Sequence, residues 1–433
     1  MAVHILSMKP LEELKDELEK CVRCGTCRSV CPTFRVLGRE TACARGKLTL
    51  IGSHLKSELP QSDEYVRHIK ECTLCGACKG SCPNGVNTTG VFAAARADLA
   101  RNKGLPFAAS LIFKNLVSPG RMAPLALKLA SRFQGIFLKD APSENGLLAR
   151  FPLPLMGAVI ASNRLLPPLA GTPFLDLPEV KVLGGPVAHP SGPRVAFYAG
   201  CGVNYLMPNI GSASIDVLKR AGATVIVPQG QVCCGMPAYS TGDLDSAREM
   251  ALKNLEVFEA HSLDYIVTSC ATCGYGLKKL FRDLLSEVPE LRARVEAFSS
   301  RVRDITELLT HDLDFTGKGR GMGGAPVRVT YHDPCHLGRA QGVRDEPREL
   351  ISGAQGVELK EMKHPCSCCG LGGGLSLSNY DLSIEITRRK AESVRDTGAD
   401  VVVTACPGCM VQLRDAMHRY GVKAKVAHVV ELL

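Results

Sequence analysis

Tryptophan is absent from the 433 residues, and aromatic residues together make up only 5%. A binder built on stacked aromatic platforms is therefore excluded. No long basic run occurs, and the net charge of +9 is spread along the chain, so nucleic acid is not an expected partner. No stretch is apolar for the ~18 residues that a membrane-spanning helix needs. The most apolar segment, Phe151 to Ala161, is cut by Pro152 and Pro154. No dinucleotide-binding G-x-G-x-x-G follows a strand and no Walker motif is present, so this chain is expected to hold no flavin or nucleotide of its own. The first residues lack the pattern of a secretory leader: a brief apolar start gives way to LEELKDELEK, a charged helix former. Wholesale disorder is excluded too, since 45% of residues are hydrophobic and only 22% charged.

What the chain does have is 20 cysteines. It is too long for a small disulfide scaffold, and in a reducing cytoplasm, the expected location, clustered thiols read as metal ligands. They fall into two groups, one from Cys21 to Cys82 and one from Cys201 to Cys409, with none between. That gap is a domain map in itself.

The first group doubles one motif. Cys21, Cys24, Cys27, Cys31 and Pro32 read C-x2-C-x2-C-x3-C-P, and Cys72, Cys75, Cys78, Cys82 and Pro83 repeat it. This is the ligand run of two-cluster ferredoxins, in which the fourth Cys of each run serves the other cluster. The expected sets are Cys21, Cys24, Cys27 and Cys82 for one cubane [4Fe–4S] cluster, and Cys72, Cys75, Cys78 and Cys31 for the other. Zinc is the competing occupant, but tetrahedral zinc sites usually need only two C-x2-C pairs. Gly25 and Gly76 hold matching places where a wrapping backbone needs positive φ. Helical patterns, KLTLIGSHLKSEL and EYVRHIKEC, fill the space between the two runs. Cys43 lies outside both motifs and reads as a packed thiol.

The second group is a tandem repeat offset by about 135 residues. Cys201, Cys233-Cys234-Gly235 and Cys270-x2-Cys273 recur as Cys335, Cys368-Cys369-Gly370 and Cys406-x2-Cys409. RVAFYAGC parallels VRVTYHDPC, and DYIVTSCATC parallels DVVVTACPGC. Each pair is a β-branched strand pattern that delivers a Cys at its end. Helical patterns alternate with these strands, which implies parallel α/β sheets with ligands at the strand C-terminal ends. Softness favours iron–sulfur clusters over zinc, while spacing alone leaves zinc, a cubane or another nuclearity open. Cys366 has no counterpart in the first copy and is either a spare thiol or an alternative ligand. His336 follows Cys335, with His332 just before it, where the first copy has Gly202. It reads either as a packed histidine or as a hydrogen-bond or proton donor, and is the candidate catalytic residue. Gly372, Gly373 and Gly374 read as a close backbone approach to a cluster.

The N-terminal part resembles the helical ferredoxin domain of succinate dehydrogenase iron–sulfur subunits and of heterodisulfide reductases. The spacing Cys-x31-Cys-Cys-Gly-x34-Cys-x2-Cys resembles the CCG domain found in the cysteine-rich subunit of heterodisulfide reductase. A ferredoxin pair with two CCG domains in one chain resembles the iron–sulfur subunit of glycolate oxidase and its D-lactate-oxidising relatives. The resemblance covers about 1–103 and 193–433. It implies an α+β multidomain fold, with a helical ferredoxin domain at 1–103 and tandem α/β CCG domains with parallel sheets at 193–317 and 325–433, joined by the Gly-rich GKGRGMGGAP; the uncovered middle, 104–192, reads from its own Pro-broken amphipathic pattern as a Pro-rich helical connecting region. The resemblance further implies a noncubane [4Fe–4S] cluster on Cys201, Cys233, Cys234, Cys270 and Cys273, and another on Cys335, Cys368, Cys369, Cys406 and Cys409. The implied partners are an FAD-containing 2-hydroxy-acid dehydrogenase subunit, a quinone or other acceptor, and room for an additional electron-transfer subunit. Membrane contact would be at most peripheral, on the inner face. A heterodisulfide-reductase-type catalytic subunit and the iron–sulfur subunit of anaerobic glycerol-3-phosphate dehydrogenase are the alternatives.

Overall fold

The structure is a computed structural model that describes residues 10–105, 110, 123–141, 146–149, 164–185, 192–313, 315 and 326–433. The apolar stretch 151–161 and most of the Gly-rich linker lie outside the described residues.

The N-terminal region is helical. α1 (Ala44–Leu55) buries Ala44, Lys47, Leu48 and Ile51, the spacing of one helical face. α2 (Asp63–Lys70) starts at Ser62, whose hydroxyl accepts from the Tyr65 N–H at 3.2 Å, with acidic residues in its first turn and basic ones in its last. Both features oppose the helix dipole's end charges. α3 (Thr88–Lys103) is buried along most of its length, from Val91 through Leu99, because it is packed on more than one side. Its alanines let neighbours approach closely. Tyr65, Ile69, Val91 and Phe92 join Leu48 and Ile51 in a core of their own.

In the middle, α4 (Ala123–Phe137) leaves Leu129, Phe133, Ile136 and Phe137 exposed. A short antiparallel pair, β1 (Leu138–Asp140) with β2 (Leu147–Ala149), adds strand structure to a region read from sequence as helical. Further on, Phe174 is fully buried against the first sheet domain, and the Arg164 guanidinium donates to Ser376 O at 2.8 Å in the second.

The tandem repeat folds twice into the same unit. β3 (Arg194–Phe197), β4 (Thr224–Ile226), β5 (Tyr265–Thr268) and β6 (Val302–Asp304) form a parallel sheet of order β4-β3-β5-β6. β7 (Val327–His332), β8 (Val357–Leu359), β9 (Val401–Thr404) and β10 (Lys425–His428) repeat it as β8-β7-β9-β10. The strands read as apolar runs because helices cover both faces: α5 (Pro208–Arg220) and α6 (Leu244–Glu259) in the first copy, α7 (Asp345–Gly353), α8 (Tyr380–Thr397) and α9 (Pro407–Arg419) in the second. Chain reversal at β3 and at β7 opens a crevice at the strand C-terminal ends, where open α/β sheets bind their ligands. One continuous core runs through both copies, from Val195 and Phe197 to Val329 and Val401. The Ala271 N–H donates to Ala405 O at 3.1 Å across the joint.

No helix among the described residues is long and apolar enough to cross a membrane.

Candidate iron–sulfur sites

All the cysteines are free thiols. In the N-terminal region each motif curls its backbone around a hollow. Arg23 and Leu74, at the same place in the two runs, hold φ of 57° and 52°, a conformation that costs a side-chain-bearing residue about 1–2 kcal/mol. Gly25 and Gly76 follow at φ 87° and 69°. A backbone bent twice in the same strained way fits a loop wrapped on a compact group. Cys21, Cys24, Cys27 and Cys82, with Cys78, line one hollow. Cys31, Cys72, Cys75 and Cys78 line the other. The fourth cysteine of each run thus reaches the other run's hollow. N–H groups of Arg45, Leu74 and Phe34 lie 3.4, 3.4 and 3.5 Å from the sulfurs of Cys27, Cys72 and Cys31.

Each sheet copy gathers its five cysteines at the strand ends. Cys201 and Cys335 follow β3 and β7, and Cys270 and Cys406 follow β5 and β9. Sγ of Cys233 is 3.9 Å from that of Cys201, and Sγ of Cys369 is 3.5 Å from that of Cys409. Hydrogen bonds from neighbouring thiols lower the pKa of individual members. Cys234 is brought down to about 5 by Cys233 and Cys273. Cys369 is lowered by Cys368 and Cys409, and Cys406 by Cys270 and Cys409. Hydrogen bonds given to neighbouring thiols, together with burial, raise Cys201, Cys273 and Cys409, and burial raises Cys335. Thiolate, the ligating form, is therefore favoured at only some positions, and it is the close, buried grouping of soft thiols that suits a soft metal centre.

The four sites touch in a series that differs from their order in the chain. The Cys75 thiol hydrogen-bonds Cys368 and packs beside Cys335, so the second copy abuts the second ferredoxin loop. The Cys270 and Cys406 thiols are hydrogen-bonded, joining the first copy to the second. Gly372 and Gly373 make the first joint close. A Cβ on either would collide with the carbonyl oxygens of Thr73 and Cys72, so the approach read from the glycines is to the ferredoxin loop's backbone. Arg339 lies in the same joint, donating to the carbonyls of Cys75, at 3.4 Å, and Cys366. Deeper in, Arg96 from α3 donates to Ser240 O (2.7 Å), Gly373 O (2.8 Å), Ile69 O (3.2 Å), Lys70 O (3.1 Å) and Cys72 O (2.6 Å). It ties the ferredoxin region to both sheet copies, and nothing in the local sequence of α3 marks it.

His336 sits at the joint between the copies. Its Nδ1 is 3.1 Å from Thr272 Oγ1, its ring stacks on Tyr275 at 5.0 Å, and burial lowers its basicity. Cys43 is buried with its thiol hydrogen-bonded to Cys27, which draws it down to about 6. Cys366 is exposed. His332 is buried with one ring nitrogen within 4.8 Å of the Cys369 and Cys409 sulfurs, a proximity that only the folded second copy creates.

A helical domain with two wrapped cysteine loops, docked on two parallel-sheet units that each present five thiols, defines an iron–sulfur oxidoreductase component. The "4Fe-4S dicluster domain" family matches residues 17–86, and the "Cysteine-rich domain" family matches 195–278 and 329–414. The chain is 30% identical over 96% of its length, and 93% of the relative's, to the probable glycolate oxidase iron–sulfur subunit of Bacillus subtilis. It is 30% identical over 99% of its length to a subunit of the fumarate reductase (CoM/CoB) of Methanothermobacter marburgensis, covering 74% of that protein. Lactate utilization protein A of Bacillus cytotoxicus is 33% identical over 55% of this chain and 98% of its own. The chain belongs to the glycolate oxidase iron–sulfur subunit family.

Proposed function

We propose that this chain is the electron-transfer subunit of a flavin-dependent dehydrogenase acting on a 2-hydroxy acid, glycolate or D-lactate. An FAD-containing partner oxidises the acid, and a quinone or other carrier receives the electrons. Cys21, Cys24, Cys27 and Cys82 hold one cubane cluster, and Cys72, Cys75, Cys78 and Cys31 hold the second. The two five-cysteine sets hold two further [4Fe–4S] clusters of the noncubane kind. When bound, such clusters supply one-electron carriers whose potentials depend on nearby charge, hydrogen bonds and burial. The observation that carries the reading is the series of neighbouring sites: Cys78 borders both ferredoxin hollows, Cys75 meets Cys368, and Cys270 meets Cys406. The protein's task in it is placement: the loops hold thiolates, and the Arg96 and Gly372–Gly373 contacts keep the sites adjacent. The exposed apolar residues of α4 support peripheral contact at the inner face of a membrane, where a quinone is found.

Anaerobically purified chain is expected to hold roughly 16 iron atoms, with matching sulfide, from four four-iron clusters. It should carry no stoichiometric flavin and should oxidise hydroxy acid only with the flavoprotein present. Zinc with little sulfide, or flavin in the isolated chain, would overturn the assignment.

One observation favours a second reading, a disulfide-reducing catalytic subunit: His336 stands beside Cys406 at the junction of the two five-cysteine sites. If it delivers a proton to a departing thiolate there, His336→Ala should lower disulfide reduction by about 10²–10⁴, the range for a general acid. Under the electron-transfer reading the same variant, with iron content intact, keeps most of its hydroxy-acid-to-quinone turnover. Measuring both turnovers on one preparation separates the two.

A further inference from the structure

The two sheet copies fold alike but are electrically unlike. Val195 pairs with Tyr265 as Val329 pairs with Val401, so Tyr198 and His332 occupy the same place. Tyr198 is satisfied, its hydroxyl donating to Val232 O at 2.5 Å. Among the described residues, neither ring nitrogen of His332 finds a partner in good hydrogen-bond geometry, at 1% exposure. The nearby Pro365 carbonyl already accepts from two donors, the Asp333 N–H and the Lys390 ammonium. A buried, unmet imidazole costs several kcal/mol unless something at the site receives its N–H, and the Cys369 and Cys409 sulfurs are within 4.8 Å of it.

The helices repeat the contrast. Asp243 caps α6 and Asn379 caps α8, which sets Asn254 against Lys390. Each side chain serves the loop leading into its Cys-Cys pair. Asn254 accepts from the Val232 N–H and donates to Cys233 O. Lys390 Nζ donates to His364 O (2.5 Å), Pro365 O (2.9 Å) and Met362 Sδ (3.4 Å) at 0% exposure. Three acceptors match the three hydrogens of an ammonium, so the second copy buries a cation where the first has a neutral amide. Four residues beyond the leading cysteine, the first copy has Tyr205 and the second Arg339.

We propose that His332, Lys390 and Arg339 make the second five-cysteine site the more oxidising of the two, His332 by donating its N–H to a sulfur of the bound cluster and the two cations by their field. A positive charge at short range in a poorly screened interior favours the state that has gained an electron. In the series of sites, the second copy lies between the ferredoxin loop and the first copy, so it becomes the station where an electron rests. This rests on the reading that both sets hold clusters.

The test is a dithionite titration of the anaerobic, iron-loaded full chain, followed by electron paramagnetic resonance. Signals are assigned by Cys234→Ala, which empties the first copy, and Cys369→Ala, which empties the second. In the unaltered chain the second site is expected to reduce at least tenfold more readily than the first, about 59 mV for one electron. Lys390→Met should remove tenfold or more of that preference without moving the first site, and Lys390→Arg should keep most of it. His332→Asn should shift the second site in the same direction as Lys390→Met. Equal potentials in the loaded native chain, or a first site above the second, would overturn the proposal, and that comparison needs no variant of Lys390 to fold. Absence of iron from both five-cysteine sets would instead sink the reading beneath it.

Discussion

Arg96→Met is expected to destabilise the chain by several kcal/mol, because it strips a charged donor from a cluster of buried carbonyls. Arg96 is 3% exposed and directs its four terminal N–H groups at five carbonyls from three parts of the molecule. Two of these, Ile69 and Lys70, belong to the last turn of α2, whose carbonyls have no partner within the helix. Two others, Cys72 and Gly373, lie on opposite sides of the joint that brings Cys75 to Cys368. Methionine fills much of the volume but leaves every one of these oxygens dry, and each unmet buried acceptor costs about 1–3 kcal/mol. Arg96→Lys keeps the charge but offers a single nitrogen, which cannot reach acceptors on both sides at once, so it should fall between. The check is a urea titration of iron-loaded protein. A midpoint for Arg96→Met within error of the unaltered chain would show that the joint does not depend on this residue.

How much of this was legible in advance follows from which interactions are local. The ferredoxin runs and the tandem repeat could be read because metal-wrapping loops fix residue spacing along the chain. The sheets could be read because Cys201, Cys270, Cys335 and Cys406 each close a β-branched run. Chain reversal at β3 and β7 then places those cysteines together without further information. Arg96 could not be read: one arginine in an alanine-rich helix has no periodic or spacing signal, and its acceptors lie up to 277 residues away. The glycines after Cys369 did signal a close approach, but their partner was the ferredoxin loop, and nothing local to the second copy specifies which domain docks on it. His332 and Lys390 had a signal that alignment of the two copies would have exposed, since Tyr198 and Asn254 stand opposite them. The β1–β2 pair lies in a stretch whose Pro content and apolar residues fit helix and strand equally.

The order of the sites leads to the other large effect. Along the chain the first sheet copy follows the ferredoxin region, so sequence adjacency would make it the ferredoxin's neighbour. In space the first copy also packs on the ferredoxin region, through Arg96 and Ser240, but the cysteines that meet the ferredoxin loop are the second copy's, through Cys75 and Cys368, and the first copy's cysteines join that series through Cys270 and Cys406. Emptying one copy at a time should therefore give opposite results. Cys369→Ala, with about four fewer iron atoms, should leave the first copy cut off: after a rapid pulse of reductant, electrons on the ferredoxin sites should no longer equilibrate with it in the native time window. Cys234→Ala should lose the same amount of iron yet leave exchange between the ferredoxin sites and the second copy at its native rate. Rapid-freeze spectroscopy of both variants reads the difference directly, and iron analysis shows that each has lost only its own site. Should Cys234→Ala be the variant that isolates its surviving neighbour, the series would follow the covalent order and the Cys75–Cys368 contact would carry no current. The expected result follows from docking. Gly372 and Gly373 let the second copy's backbone lie against the carbonyls of Cys72 and Thr73, an approach that a side chain at either position would prevent.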